Sequence, residues 1–224
     1  MINIIILGPP GAGKGTQARL IQDKFGYTQV STGELVRHEI ASGSTLGKYL
    51  QPIVESGGYL EDTIMLELLE NKLKEIDSGA IIDGFPRTEN QADALYEMLK
   101  RNHQQLDLVI DLKVDKDILA KRIAGRFSCV NCGAIYNQYF SPPADEGKCD
   151  YCKKTEFVKR KDDALEVVNK RLEIYTEKTQ PLLDYYEKSG QLSHVDGMQS
   201  VDDVASQIEV LITKYLKKPQ MCVN

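Results

Sequence analysis

The stretch Ile2-Asn3-Ile4-Ile5-Ile6-Leu7-Gly8-Pro9-Pro10-Gly11-Ala12-Gly13-Lys14-Gly15-Thr16 decides how the rest of the chain is read. Its first six residues form a nearly unbroken β-branched run, the pattern of a strand buried on both faces of a parallel sheet. A glycine loop follows, and then a helical pattern through Ala18, Leu20, Ile21 and Phe25. Strand, glycine loop and helix in that order open a βαβ unit. In that setting Gly8-x4-Gly13-Lys14 reads as a phosphate-holding loop. Its glycines let backbone N–H groups curl around an anion, the helix N-terminus adds partial positive charge, and the lysine reaches the terminal phosphates. The strict motif has Ser or Thr directly after the lysine. Here Gly15 intervenes and the hydroxyl is Thr16, which weakens the case for a direct hydroxyl–magnesium bond. The competing reading is a tight strand-to-helix turn that needs glycine only for packing.

Working outward, Ala80-Ile81-Ile82-Asp83 and Leu108-Val109-Ile110-Asp111-Leu112 read as further strands, each preceded by a helical stretch. Gln191 to Val195 is a weaker strand, and Val201 to Leu216 closes the chain as an amphipathic helix. Strands alternating with helices indicate an α/β fold with a doubly wound parallel sheet. Two stretches break the rhythm: residues 31–60, short helices rich in Gly and Ser, and residues 127–163, which carry Pro142-Pro143 and no helical period. Both read as inserted lobes, leaving 1–30, 61–126 and 164–224 as the core.

The chain has 224 residues, enough for one sizeable core with small lobes. Lys+Arg number 28 against 33 Asp+Glu, a net charge of −5, so a general phosphate field for nucleic acid is not expected. No apolar run reaches the roughly 20 residues of a membrane helix, and the N-terminus lacks the basic start and small-residue cleavage site of a signal peptide. A soluble cytoplasmic protein, away from nucleic acid and membrane, is the expectation.

Of five cysteines, four form Cys129-Val130-Asn131-Cys132 and Cys149-Asp150-Tyr151-Cys152; Cys222 has no partner in this pattern. Cys-x2-Cys, sixteen residues, Cys-x2-Cys is a zinc pattern, each knuckle gripping two corners of a tetrahedron. Four protein ligands leave no open coordination position, so the site reads as structural. A redox pair is the rival, but it does not explain two of them.

Further segments carry a resemblance. Gly8 to Thr16, with glycine between lysine and threonine, resembles the phosphate loop of nucleoside monophosphate kinases. Ser31-Thr32-Gly33-Glu34-Leu35-Val36-Arg37, Asp83-Gly84-Phe85-Pro86-Arg87-Thr88, Arg160-Lys161-Asp162-Asp163 and Val195-Asp196-Gly197 agree with it. Together they resemble the adenylate kinase family, in the long-lid form common in bacteria. The resemblance implies a P-loop kinase core with an AMP-binding lobe at 31–60 and a lid at 127–163. It implies reversible transfer from MgATP to AMP giving two ADP, by a monomer with structural zinc in the lid.

Such a reaction gathers many negative charges in one cleft, and the acceptor phosphate is already an anion, so no general base is needed. This suits a chain with three scattered histidines, His38, His103 and His194. Arginine's planar fork matches phosphate oxygens in pairs. Six of the eight arginines lie in or near the motifs: Arg37, Arg87, Arg122, Arg126, Arg160 and Arg171. By resemblance, Arg37 and Arg87 hold the AMP phosphate, Arg126, Arg160 and Arg171 converge with Lys14 on the transferred group, and Arg122 lies against the donor adenine. Asp83 resembles the aspartate that orients magnesium-bound water.

The resemblance also assigns Gly11, Ala12, Gly13, Lys14, Gly15 and Thr16 to ATP, with Ile135, Tyr136 and Gln199 contributing largely through backbone or surface. To AMP it assigns Thr32, Gly58, Tyr59, Leu60, Gly84, Phe85, Pro86 and Gln91, the last by an amide pair with adenine. Two motifs keep a second reading. Thr88 to Gln91 and Ser31 to Glu34 both fit helix capping boxes, and Asp162-Asp163 fits either a cap for the helix starting near Ala164 or partners for Arg126 and Arg160.

Two rivals remain. A kinase for UMP, CMP or GMP is disfavoured by the long lid and Gln91. A nucleic-acid regulator built on the cysteine ribbon draws support from Lys148, Lys153, Lys154 and Tyr151, which Asp145, Glu146, Asp150 and Glu156 dilute.

Overall fold

The computed structural model describes residues 2–58, 60–160 and 163–217. Strand β1 (Asn3–Leu7) lies at the middle of a five-stranded sheet and is buried along its whole length. Its neighbours are β3 (Ala80–Asp83) and β4 (Leu108–Lys113), flanked by β2 (Thr28–Ser31) and β8 (Leu192–Asp196), giving the order β2-β3-β1-β4-β8. All four pairings are parallel.

Successive side chains on a strand point to opposite faces, so the continuous apolar run of β1 feeds two cores. Ile5 and Leu7 join Ile82 and Val109 under α4 (Asp62–Lys74), α5 (Glu89–Arg101) and α8 (Pro181–Lys188). Ile4 and Ile6 join Ile81, Ile110 and Leu112 under α1 (Lys14–Phe25) and α9 (Val201–Lys217). Each such fully buried Ile or Leu contributes about 2 kcal/mol of transfer free energy.

Four of the five sequence motifs share one property, that they follow strands of the parallel sheet; the fifth, from Arg160, follows antiparallel β7 (Phe157–Val158). Gly8 follows β1, Thr32 follows β2, Gly84 follows β3 and Gly197 follows β8. Parallel strands put all their carboxyl ends on one edge, where open α/β sheets hold ligands.

Helices α2 (Thr32–Ala41) and α3 (Thr45–Glu55) form the first inserted stretch, but Val36 and Leu50 are buried in the same cluster as β1 and α4, so it shares the main core. The second stretch follows α6 (Lys116–Ala124). It is an antiparallel sheet of β5 (Arg126–Cys129), β6 (Ile135–Asn137) and β7 (Phe157–Val158) with a small core of Cys129, Ala134, Tyr136 and Cys149. Helix α7 (Leu165–Ile174) and a π-helical turn at Tyr175–Thr179 lead on to α8.

Three details differ from the sequence reading. The edge strand β2, not anticipated, straddles the expected boundary at residue 30, because Thr28, Gln29 and Ser31 are only half-buried and give no apolar pattern. The cysteine segment is a three-stranded sheet that begins at Arg126. Helix α7 is capped by Ala164 with no side-chain bond, so Asp163 is not its cap. Tyr59, Lys161, Asp162 and Cys222 lie outside the described residues.

Candidate active site and candidate zinc centre

The carboxyl edge of the parallel sheet opens into a cleft of about 540 Å³, within the range of small-molecule sites. Every described residue that the sequence reading assigned to a nucleotide lines it. Gly11 to Thr16 come from the loop, Thr32, Arg37, Gly58 and Leu60 from the α2–α4 stretch, and Asp83 to Arg87 and Gln91 from β3–α5. Arg122, Arg126, Ile135, Tyr136, Arg160, Arg171 and Gln199 close the other side. Separations of more than a hundred positions in sequence therefore collapse to one cavity.

The glycine loop owes its shape to left-handed backbone. Gly13 precedes α1 with φ 100° and no side-chain cap, leaving the first N–H groups of the helix aimed at the cleft. Lys14 folds back over this loop, its Nζ donating to Gly8 O at 2.8 Å and Pro9 O at 3.1 Å. Burial drives its pKa down to about 8, with Asp83 opposing and Arg87, Arg171 and Arg126 adding to the fall. Ile135 touches the loop from above: a Cβ on Gly15 would lie 3.0 Å from its Cδ1.

The arginines line the cleft, and carboxylates hold several of them: Asp163, one of whose two sequence readings was this, and Glu34, which the sequence reading did not assign as a partner. Arg126 pairs with Asp163 through two nitrogens, Nε at 2.9 Å, and Arg171 lies 3.7 Å from the same carboxylate. Arg160 donates to Glu34 Oε1 at 2.6 Å, which also takes Arg37 at 2.6 Å. Of the two readings of Asp163, the pairing holds, with Arg126 and Arg171 as partners. Arg87 Nε donates to Gly84 O at 2.8 Å. Arg122 donates to Gly197 O at 3.0 Å, its guanidinium 5.6 Å from the Phe140 ring.

Both capping motifs exist in altered form. Thr88 Oγ1 accepts Gln91 N–H at 3.3 Å, and Gln91 Oε1 accepts the Arg87 N–H at 2.7 Å, one residue upstream of the reciprocal bond in a capping box. Gln91 Nε2 donates to Asp62 Oδ1 at 2.5 Å. The amide that the resemblance pairs with adenine therefore has one bond committed at each end. Ser31 Oγ accepts Glu34 N–H at 3.4 Å, while the Glu34 side chain leaves for the arginines. Tyr136 lends the cleft its strand; its hydroxyl points away, 3.3 Å from Cys149 Sγ, and accepts Asp150 N–H at 2.7 Å. Gln199 Nε2 donates to Asp196 at 2.7 Å.

Behind β6 the four cysteine sulfurs lie within 4.8 Å of one another. The closest pairs, Cys129–Cys152 and Cys132–Cys149, are each 3.5 Å apart, far beyond a disulfide bond. Zinc–sulfur bonds of about 2.3 Å in a tetrahedron require sulfurs about 3.8 Å apart, so the donor set and spacing fit zinc. Burial raises the thiols of both Cys132 and Cys149, but N–H groups of Cys152 and Tyr151 and the Tyr136 hydroxyl outweigh it at Cys149 and bring that thiol below its ordinary value. The thiolate is the form that binds a metal. Residues 133 and 153, each following the second cysteine of a knuckle, both turn through φ near +65°, as Gly133 (69°) and Lys153 (61°). Arg19 of α1 clamps this centre to the core, donating to Cys132 O at 3.1 Å with its guanidinium 4.0 Å from the Tyr151 ring.

A phosphate loop at the carboxyl edge of a parallel sheet, facing arginines from every side, defines a nucleotide-phosphate-handling α/β protein. Residues 6–191 match the family model described as adenylate kinase. Adenylate kinases of Paramagnetospirillum magneticum and Archaeoglobus fulgidus are 43% and 42% identical, over 94% and 95% of this chain and 98% and 99% of their own lengths. That of Zymomonas mobilis is 44% identical over 97% of this chain and 99% of its own. The chain belongs to the adenylate kinase family. No helix among the described residues is long and apolar enough to cross a membrane.

Proposed function

We propose that this protein transfers the γ-phosphoryl group of MgATP reversibly to AMP, giving two ADP. The observation that carries this is the convergence of the phosphate loop, six arginines and Gln91 on one cleft. An AMP phosphate oxygen attacks the γ-phosphorus, the bond to the β–γ bridging oxygen breaks, and its electron pair leaves on ADP. No proton moves, so the site's task is alignment and charge neutralisation.

In this reading the Gly11–Thr16 loop and Lys14 hold the donor phosphates, and Arg122, Ile135, Tyr136 and Gln199 surround the donor base. Arg37 and Arg87 hold the acceptor phosphate, and Thr32, Gly58, Leu60, Gly84, Phe85, Pro86 and Gln91 its nucleoside. Arg126, Arg160 and Arg171 exchange their carboxylate partners for the transferred group. Magnesium arrives with ATP as part of the substrate, and Asp83, beside Gly15 and Lys14, is the carboxylate placed to orient its water.

Residues 1–30, 61–126 and 164–224 act as the core, 31–60 as the acceptor lobe and 127–163 as a lid that excludes water. Cys129, Cys132, Cys149 and Cys152 would hold zinc, which supplies folding energy to a lobe with a small core and takes no part in the chemistry. Four reduced thiolates suit the cytoplasm, and a monomer contains the whole cleft.

The test is an acceptor series with MgATP. ADP formed from AMP, in strong preference to UMP, CMP or GMP, supports the reading, and no ADP from AMP overturns it. Sedimentation as a dimer would overturn the monomer.

A further inference from the structure

Gln91 is almost wholly buried, 3% exposed, and lines the cleft from the first turn of α5. Its amide has two ends of nearly equal shape, and a half-turn about the last side-chain bond exchanges them. What fixes the orientation is the partner at each end. The Arg87 backbone N–H can only donate, so it takes Oε1; the Asp62 carboxylate can only accept, so it takes Nε2. The flipped amide would set N–H against N–H and oxygen against oxygen.

We propose that Asp62 is a specificity-determining positioning residue for the acceptor base. With one bond committed at each end, Gln91 keeps one N–H and one oxygen lone pair, in an order set by its two partners. Adenine pairs an acceptor, N1, with a donor, N6–H, along one edge; hypoxanthine and guanine reverse that order as N1–H and O6. Locking the amide therefore discriminates between purines that differ little in shape. Asp62 does this from a different element, at the start of α4, 29 positions before Gln91, and it does not itself line the cleft. The proposal rests on the acceptor being AMP.

The test measures kcat and KM for AMP and for IMP, each with MgATP, in the wild-type protein, Asp62→Ala and Asp62→Asn. Losing one charge-assisted bond is expected to raise the AMP KM about tenfold in Asp62→Ala, with kcat within about threefold. The AMP-over-IMP ratio of kcat/KM should fall by about tenfold as well. Asp62→Asn, whose amide oxygen can still take the Nε2 hydrogen, should recover part of the KM. A role confined to the start of α4 would lower the melting temperature and leave the AMP/IMP ratio alone. A ratio within about twofold of wild type, or equal losses on both acceptors, overturns the proposal. Should Asp62→Ala not fold, Asp62→Leu decides, because it fills the same space without an acceptor for Nε2, and an unmoved ratio there overturns the proposal too. A wild-type protein that makes no ADP from AMP sinks the functional reading itself, whereas an active one with an unmoved ratio sinks only this proposal.

Discussion

The Glu34 carboxylate receives the Arg160 guanidinium at 2.6 Å across 126 positions of sequence, joining the stretch after β7 to the first turn of α2. Burial pushes the Glu34 carboxyl up, but Arg37 and Arg160 outweigh this and hold it below the ordinary carboxylate range. A phosphate entering the cleft must compete with this carboxylate for both arginines. The α2 stretch and the segment after β7 are thus joined through Arg160, which with Arg37 is also proposed to grip the substrate.

Glu34→Gln removes the charge at this junction while keeping the shape. Half-exposed pairs are worth about 0.2–1 kcal/mol, so the ligand-free population with the α2 stretch and the segment after β7 apart should rise about 1.4- to fivefold. Small-angle scattering of the ligand-free variant should show a larger radius of gyration. The wild-type protein should move the same way in high salt. An unchanged radius would mean that other contacts, such as Arg19 with Tyr151, hold the cysteine-bearing stretch against the core.

Lys14→Met is expected to cut phosphoryl transfer by about a thousandfold or more while leaving the fold intact. The sign of its pH effect follows from a folded pKa of about 8, below the ordinary lysine value. Between pH 8 and about 10.4 the unfolded chain binds the extra proton, so wild-type stability relative to Lys14→Met rises with pH in that window. Anionic phosphates favour the charged lysine, so nucleotide binding near pH 8–9 should take up protons. Calorimetry in buffers of different ionisation enthalpy measures this directly, and proton release would contradict the assignment.

Chelating the metal, or Cys149→Ser, should lower the melting temperature by about 10 °C, corresponding to a loss of about 3–5 kcal/mol. Any remaining activity at low temperature should show an altered KM more than an altered kcat. Metal analysis should return one zinc per chain, and a chelated protein that melts unchanged would remove the structural role.

Gly47→Ala tests why α2 and α3 can cross so closely. A Cβ at residue 47 would lie 2.2 Å from Glu39 O and 2.9 Å from Ile40 Cα, both rigid backbone. The helices must separate, at a cost of about 2–3 kcal/mol. Thermal unfolding should register this, and an unchanged melting temperature would show that the helices can part freely.

Much of this protein was legible in its sequence because the decisive signals are local. The apolar run of β1 and the glycine loop after it are contiguous, and the motifs after β2, β3 and β8 stand beside their strands. Two cysteine knuckles announce their four ligands by spacing alone. From these the α/β class, the phosphate cleft and the thiolate cluster follow, since backbone geometry and burial act within a few residues. Strand β2 escaped because an edge strand with one buried residue has no apolar period.

Partnership is what only the tertiary structure decided. That Glu34 takes Arg160, that Asp163 takes Arg126 and Arg171, and that Asp62 sets the Gln91 amide depend on which ends of which strands become neighbours. A charged or amide side chain is satisfied equally well by many partners in sequence. Hydrogen bonds near 3 Å choose among them only once the fold has brought a carboxylate within reach.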